Sequence, residues 1–141
     1  MMKSMSEPWD LSMHPATSQA VTNHVRVEVE SQYAAEHSHP GMWRFFYTVR
    51  ITNEGGDRVQ LLNRHWIISD ASGQTQHVRG EGVVGEQPAL GPGESFQYTS
   101  WCELRTPDGV MRGTYDMVDS NGTHFDAEIA PFALHGPYTV H

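Results

Sequence analysis

From His24 onward the chain alternates. Val25, Val27, Val29, Ser31 and Tyr33 fall on one side of an extended segment, and Arg26, Glu28, Glu30 and Gln32 on the other. That two-residue period marks a half-buried strand. It returns in Phe45, Tyr47, Val49 and Ile51 against Phe46, Thr48, Arg50 and Thr52, and stops at Asn53-Glu-Gly-Gly56. Glycine there supplies the positive φ of a tight turn. A third strand is expected over about 58–69, with Leu62, Arg64, Trp66 and Ile68 on one face and Leu61, Asn63, His65 and Ile67 on the other. Apolar groups on both faces mark it as central and partly covered on each side.

Shorter strands are expected over 74–79, after a turn at Gly73, and over 95–104, after Gly91-Pro-Gly93. In the second, Phe96, Tyr98, Ser100 and Cys102 oppose Gln97, Thr99, Trp101 and Glu103. Thr106-Pro-Asp-Gly109 reads as a turn with proline at its second position. A strand over 110–118 comes next, with Met111, Gly113, Tyr115 and Met117 on one side. Asn121-Gly122 is a hairpin signal, and a return strand over 123–129 leads to Pro131, Phe132 and Leu134.

About seven short strands between Gly, Pro and Asn turns, with no 3.6-residue period, predict an all-β fold. The expected architecture is an immunoglobulin-like antiparallel β-sandwich with Trp66 in its core. A single cysteine, Cys102, makes the disulfide-free, fibronectin type III-like variant the better fit. Residues 1–22 are polar and without period, and read as a flexible N-terminal extension in which Trp9 and Leu11 are docking candidates. The domain is expected over 23–135, with a short tail over 136–141.

Composition then narrows the function classes. A formal net charge of -8 over 141 residues argues against binding a nucleic-acid backbone, which needs a basic stripe. It argues equally against attachment to an anionic membrane. No apolar run approaches a membrane span of about 20 residues, and the first residues lack a signal peptide's apolar stretch. With one cysteine besides, a cytoplasmic location is expected.

Four groups of residues carry candidate chemistry. Gly80-Glu-Gly82-Val-Val-Gly85 spells G-x-G-x-x-G, a pattern that binds pyrophosphate where it opens a helix after a parallel strand. Here Pro88 and Gly91-Pro-Gly93 come after it, no helix is readable, and Glu81 and Glu86 repel anions, so a glycine-rich bulge or crossover is the competing reading. If phosphate binds, Gly80, Gly82 and Gly85 offer amides, and Arg79 or Arg64 the charge. Arg64, His65 and Asp70 stand on or beside an apolar strand, as a binding groove or as satisfied structural groups. His37 and His39 could ligate a transition metal, but with His135 and His141 they lie in a loop and a tail that the sequence does not bring together, so no metal site is assigned. Cys102 is expected to be a small core residue. Trp101, pointing away from Phe96 and Tyr98, is either a partner anchor or core of a second face. No catalytic set and no cofactor are readable.

The runs LLNRHWIISDASG, VRGEGVVGEQPALGPGESFQYTS, TPDGVMRGTYDMVDSNG and FDAEIAPFAL, in that order, resemble the ApaG family over roughly residues 23–135. The resemblance implies a fibronectin type III-like sandwich and a small bacterial protein whose domain is also appended to some eukaryotic F-box proteins. It further implies an association with cobalt and magnesium resistance or efflux and with dinucleoside tetraphosphate metabolism, and it carries no family-wide enzymatic activity. Trp101 departs from the family's Ser-Gly-Cys run. The expected function is a non-catalytic module for protein–protein interaction, with a nucleotide or pyrophosphate sensor at Gly80–Gly85 as the alternative. Exposed sheet edges permit a homodimer.

Overall fold

The structure is a computed structural model that describes residues 14–137. Among these, nine strands form two antiparallel sheets packed face to face. They are β1 (Thr17–Thr22), β2 (Val25–Tyr33), β3 (Trp43–Asn53), β4 (Val59–Asp70), β5 (Thr75–Glu81), β6 (Ala89–Leu90), β7 (Ser95–Leu104), β8 (Asp108–Asp119) and β9 (His124–His135). One sheet has the order β1-β2-β3-β7; the other has the order β5-β4-β8-β9, with β6 also paired to β4. The expected sandwich is therefore present, built on the expected alternation. Phe45, Tyr47, Val49 and Ile51 of β3 are buried. Trp66, only 3% exposed, meets Tyr47, Tyr115 and Phe132 at ring-centroid distances of 5.2, 6.2 and 6.0 Å. Burying a side chain of that size contributes roughly 2–3 kcal/mol.

Two strands escape the sequence pattern. Residues 17–22, expected as part of a flexible extension, form β1 instead, with Thr17 opposite Glu30 and Thr22 opposite Val25. Only Ala20 and Val21 there are apolar, so the segment has no hydrophobic period of its own. Its order comes from the edge of β2 and from bonds to β9. Ser18 Oγ donates to Ala130 O at 2.8 Å, and the Ala133 amide donates to Pro15 O at 2.7 Å. Trp9, Leu11 and His141 lie outside the described residues. β6 is two residues long, too short for a period.

The faces of β4 also need correction. A bulge between Leu61 and Asn63 sets two β4 residues against one of β8. A one-residue insertion exchanges the faces of everything beyond it. The inward set is therefore Val59 and Leu61 before the bulge, and Arg64, Trp66 and Ile68 after it. Leu62, expected to share a face with Arg64, does not. β9 makes the same shift near Pro131, from Ala127 and Ile129 to Phe132 and Leu134, where its register with β8 slips.

Asn53, 1% exposed, is a buried polar side chain at the end of β3. Its Nδ2 donates to Asp57 O at 2.7 Å and Leu90 O at 3.0 Å, and its Oδ1 accepts the Gly55 amide at 3.0 Å. One side chain thus fixes the β3–β4 turn and docks β6. Truncation would leave buried backbone groups without partners. Asn53→Ala is expected to lower unfolding stability by about 2 kcal/mol, read as a shift of the urea midpoint at unchanged slope.

Candidate functional site

The glycine-rich segment leaves β5 at Glu81 and turns back at once. Val83 and Glu86 exchange two backbone hydrogen bonds, 2.8 and 2.9 Å long, around Val84 and Gly85, whose φ values are +42° and +81°. Positive φ at both central residues is the two-residue hairpin turn that favours Asn-Gly. The Gly82 amide donates to Leu62 O at 2.8 Å. The amides of Gly82, Val83 and Glu86 are thus held by carbonyls of the protein itself, and the segment continues as a hairpin rather than a helix. Gly82 serves a close approach, since a Cβ there would lie 2.4 Å from Glu86 O. Strand and tight turn are the geometry of the bulge-or-crossover reading, and the segment opens no helix.

The two arginines offered to that phosphate lie on opposite faces of the sheet. Arg79 faces outward with His77 and Glu81. Arg64 turns inward, and its guanidinium lies flat against Gly80; a Cβ on Gly80 would stand 2.7 Å from Cζ. The guanidinium thus occupies the space that a side chain at position 80 would take. Arg64 Nη1 donates to Glu81 O at 3.0 Å and Gly82 O at 2.9 Å, so Arg64 braces the hairpin for which the sequence offered phosphate binding as an alternative.

Arg64 also stands in a cleft. Along one flank the sheets are stitched by Ser18 to Ala130, by Ser31 Oγ to Ala133 O at 2.6 Å, and by the Glu128 amide to Thr22 Oγ1 at 3.0 Å. Along the other flank, between β5 and β7, a cleft of about 690 Å³ opens. Its walls include Tyr47, Arg64, Trp66, Val78, Cys102 and Met111. Behind them the hydroxyls of Tyr98 and Tyr115 hydrogen-bond across the two sheets. Burial holds both phenols above their ordinary pKa. It also pushes the Cys102 thiol up to about 12. Cys102 contacts Met111 Sδ at 3.5 Å, as a core residue does, and at neutral pH it is a thiol rather than a nucleophilic thiolate.

Trp101 is 58% exposed on the outer side of β7, which settles its two readings in favour of the surface. Phe46 stands opposite it on β3, and the Arg44 guanidinium lies 5.8 Å from its ring centroid. His37 packs edge-on to Phe46 at 5.5 Å. His39 Nδ1 lies 3.3 Å from Pro40 O, and His135 ends β9 opposite Asp108. Among the described residues no three His, Cys, Asp or Glu side chains converge. Asp70 caps its own turn, accepting from the Ser72 and Gln74 amides and from Ser72 Oγ. The Ser72 hydroxyl and these amides hold its carboxyl below the usual range.

Sequence reasoning missed one polar group. His65 Nε2 and His77 Nδ1 are 2.9 Å apart on the open face of the β4–β5 hairpin. The pairing follows from the turn at Asp70–Gly73, which places residues 65 and 77 diagonally on one face. Locating that turn to the residue would have revealed it. Nearby, Asp116 accepts from His124 and Asn63, and its carboxyl is held low mainly by the His124 bond.

The fold and the cleft define a class, a two-sheet antiparallel β-sandwich open along one flank. The ApaG domain family matches residues 33–119. Protein ApaG of Anaeromyxobacter dehalogenans (strain 2CP-C) is 55% identical over 117 residues, covering 83% of this chain and 94% of the relative. Protein ApaG of Methylorubrum extorquens (strain PA1) is 52% identical over 121 residues, covering 84% and 93%. A crystal structure assigned to an ApaA protein of Bordetella pertussis matches with TM-score 0.78 at 48% identity, covering 89% of this chain and all of that one. The C-terminal domain of wzt, 11% identical with TM-score 0.54 over 92% of this chain and 86% of that one, shares the fold alone. The chain belongs to the ApaG family.

Two outcomes are expected of this geometry. A β-branched residue at positive φ costs roughly 1–2 kcal/mol, and Val84 is 53% exposed, so little burial offsets that cost. Val84→Asn is expected to raise stability by about 1 kcal/mol in a thermal or urea melt. The second concerns His65. Burial first, then Arg79, His77 and Arg112, lower its pKa against the pull of Asp126. The unfolded chain therefore binds this proton more readily, and the His65 contribution destabilises the fold as pH drops through the ordinary histidine range. Between about pH 7.5 and 5.5, His65→Gln is expected to lose less unfolding free energy than the parent chain.

Proposed function

We propose that the chain is a non-catalytic binding module that takes an extended strand of a partner protein onto the outer edge of β7, with Trp101 as the anchor. The exposure of Trp101 carries this reading. β7 ends the four-stranded sheet with ten residues, Ser95–Leu104, and a bare edge is a template for another strand. Proteins normally guard such edges with Lys, Pro or inward charge. β7 carries neither Lys nor Pro, and its one charged residue, Glu103, is paired with Arg44. Exposed tryptophan beside arginine is the composition of a binding hot spot. The chain's net charge of -8 favours a neutral or basic partner strand. The association of the family with cobalt and magnesium resistance would then act through that partner. A cytoplasmic setting belongs to the same proposal, in keeping with one cysteine in 141 residues.

Selection of extended peptides from a displayed library, then hydrogen exchange on the bound complex, tests this. Peptides of alternating polarity and neutral or basic charge should slow exchange of the β7 amides, and Trp101→Ala should weaken them by at least about tenfold. Thr99→Lys, which places a guarding charge on the edge, should do the same. Protection confined to other strands, or affinity indifferent to both substitutions, would sink the reading. Dimeric sedimentation of the parent that Thr99→Lys converts to monomer would replace the partner with a second copy. Saturable amide shifts at Gly80–Gly85 on adding diadenosine tetraphosphate with Mg²⁺ would favour the nucleotide sensor instead.

A further inference from the structure

The cleft between β5 and β7 has the make-up of a site for a small amphiphilic molecule: a concave space in which an apolar wall from the core meets a polar rim. It holds about 690 Å³, within the usual range for ligand pockets of roughly 300–1,000 Å³. Trp66, Ile68, Val78, Leu104 and Met111 supply apolar wall; Arg64 supplies charge beside the core, and Glu103 and Arg105 supply it from the end of β7 onward. Two polar groups in that wall are incompletely used. The first is the indole N–H of Trp66. Two buried side-chain nitrogens among the described residues lack a hydrogen-bond partner, and Trp66 Nε1 is one of them. Buried donors are ordinarily satisfied.

The second is Arg64. Two of the other arginines, both beside an available carboxylate, show the bidentate grip a guanidinium takes in this fold. Arg26 grips Glu54 with the Nε and Nη2 fork, at 2.7 and 3.2 Å. Arg44 turns the same fork on Glu103. Arg64 uses only Nη1, on two backbone carbonyls. Among the described residues the ion pairs are Arg26–Glu54, Arg44–Glu103 and His124–Asp116. The Arg64 fork thus has no carboxylate partner among the described residues. An unpaired charge between sheets is unfavourable, and an Nε–Nη2 fork matches a carboxylate in bidentate geometry.

We propose that this cleft binds a small organic carboxylate, its anionic head on the Nε and Nη2 fork of Arg64 and its apolar body against Trp66, Val78 and Met111. The backbone bonds of Nη1 and the flat contact with Gly80 hold the guanidinium in place before the ligand arrives, so little ordering is left for binding to supply. The site adjoins the strand-docking surface of β7, because Trp101 also stands at the cleft's rim; substitutions at Arg64 and Val78 leave the edge and outer side of β7 unchanged.

The test is a titration of the full chain with 4-phenylbutyrate, indole-3-acetate and octanoate, monitored by amide and indole nitrogen–proton spectra. At least one probe should give saturable shifts centred on the Trp66 indole and on the Val78, Ser100 and Cys102 amides. The matched neutral alcohol, 4-phenylbutanol, should bind about ten- to a hundredfold more weakly than 4-phenylbutyrate, because it lacks a charge-assisted bidentate head. Arg64→Lys keeps the charge without the fork and should weaken the carboxylate by about tenfold. Val78→Phe fills the cleft while leaving Arg64 intact, and should abolish the shifts in a chain whose spectrum is otherwise that of the folded parent. No saturable shift from any of the three probes overturns the proposal. So does equal affinity for the alcohol and the acid, or a response centred on Phe46 and Thr99, which lie outside the cleft.

Discussion

The organisation of this molecule depends on one extra residue in β4. A strand has a period of two, so a chain that enters the core with Val59 and Leu61 inward would continue with Asn63, His65 and Ile67. The bulge after Leu61 reverses that order and brings Arg64, Trp66 and Ile68 inside. The central tryptophan of the sandwich and the guanidinium that lines its cleft arrive by the same device. His65 and Asn63 are sent to the open face, where one meets His77 and the other Asp116. The bulge thus decides which polar groups are structural supports between the sheets and which are surface chemistry.

The consequences of placing Arg64 inside spread outward. Its guanidinium takes the space beside Gly80 and anchors the carbonyls of Glu81 and Gly82. The chain can then reverse over Val84 and Gly85 and return towards β6. The G-x-G-x-x-G pattern is therefore a record of close packing, with one glycine making room for an arginine and another for a carbonyl. The same spelling before a helix would present free amides to an anion. The distinction rests on the next element of the chain, a hairpin return here and a helix there, and the glycines alone do not make it.

The two flanks of the sandwich are unlike, and that asymmetry locates the surfaces available for binding. β1 and β2 are tied to β9 by side-chain-to-backbone hydrogen bonds. β5 and β7 stand apart, with the aromatic and thioether groups of the core reaching the gap. Net attraction across a wider gap needs either larger side chains or an occupant. The exposed Trp101 beside this flank adds apolar area where a monomeric surface ordinarily carries charge. Exposed aromatic area, bare edge and intersheet charge all gather on the β5–β7 side.

Local pattern determined most of the strands in this protein, because alternation is a property of neighbouring residues and survives in any context that buries one face. It placed the inward residues of β2, β3, β7 and β8, the hairpin at Asn121-Gly122, and Trp66 in the core. It failed where order is borrowed. β1 has too few apolar residues to show a period and is held by β2 and β9, while β6, two residues long, spans a single period and cannot repeat it. It failed also at the β4 bulge, since Leu61 and Leu62 are both leucine and nothing in their order says which one turns inward. The site was the least legible part. Arg64 and the glycines were visible as residues, but whether the arginine serves a phosphate, a hairpin or a cleft depends on the face to which it is turned. Only the pairing of β4 with β5 and β8 decides that, because register is set by contacts between segments distant in sequence.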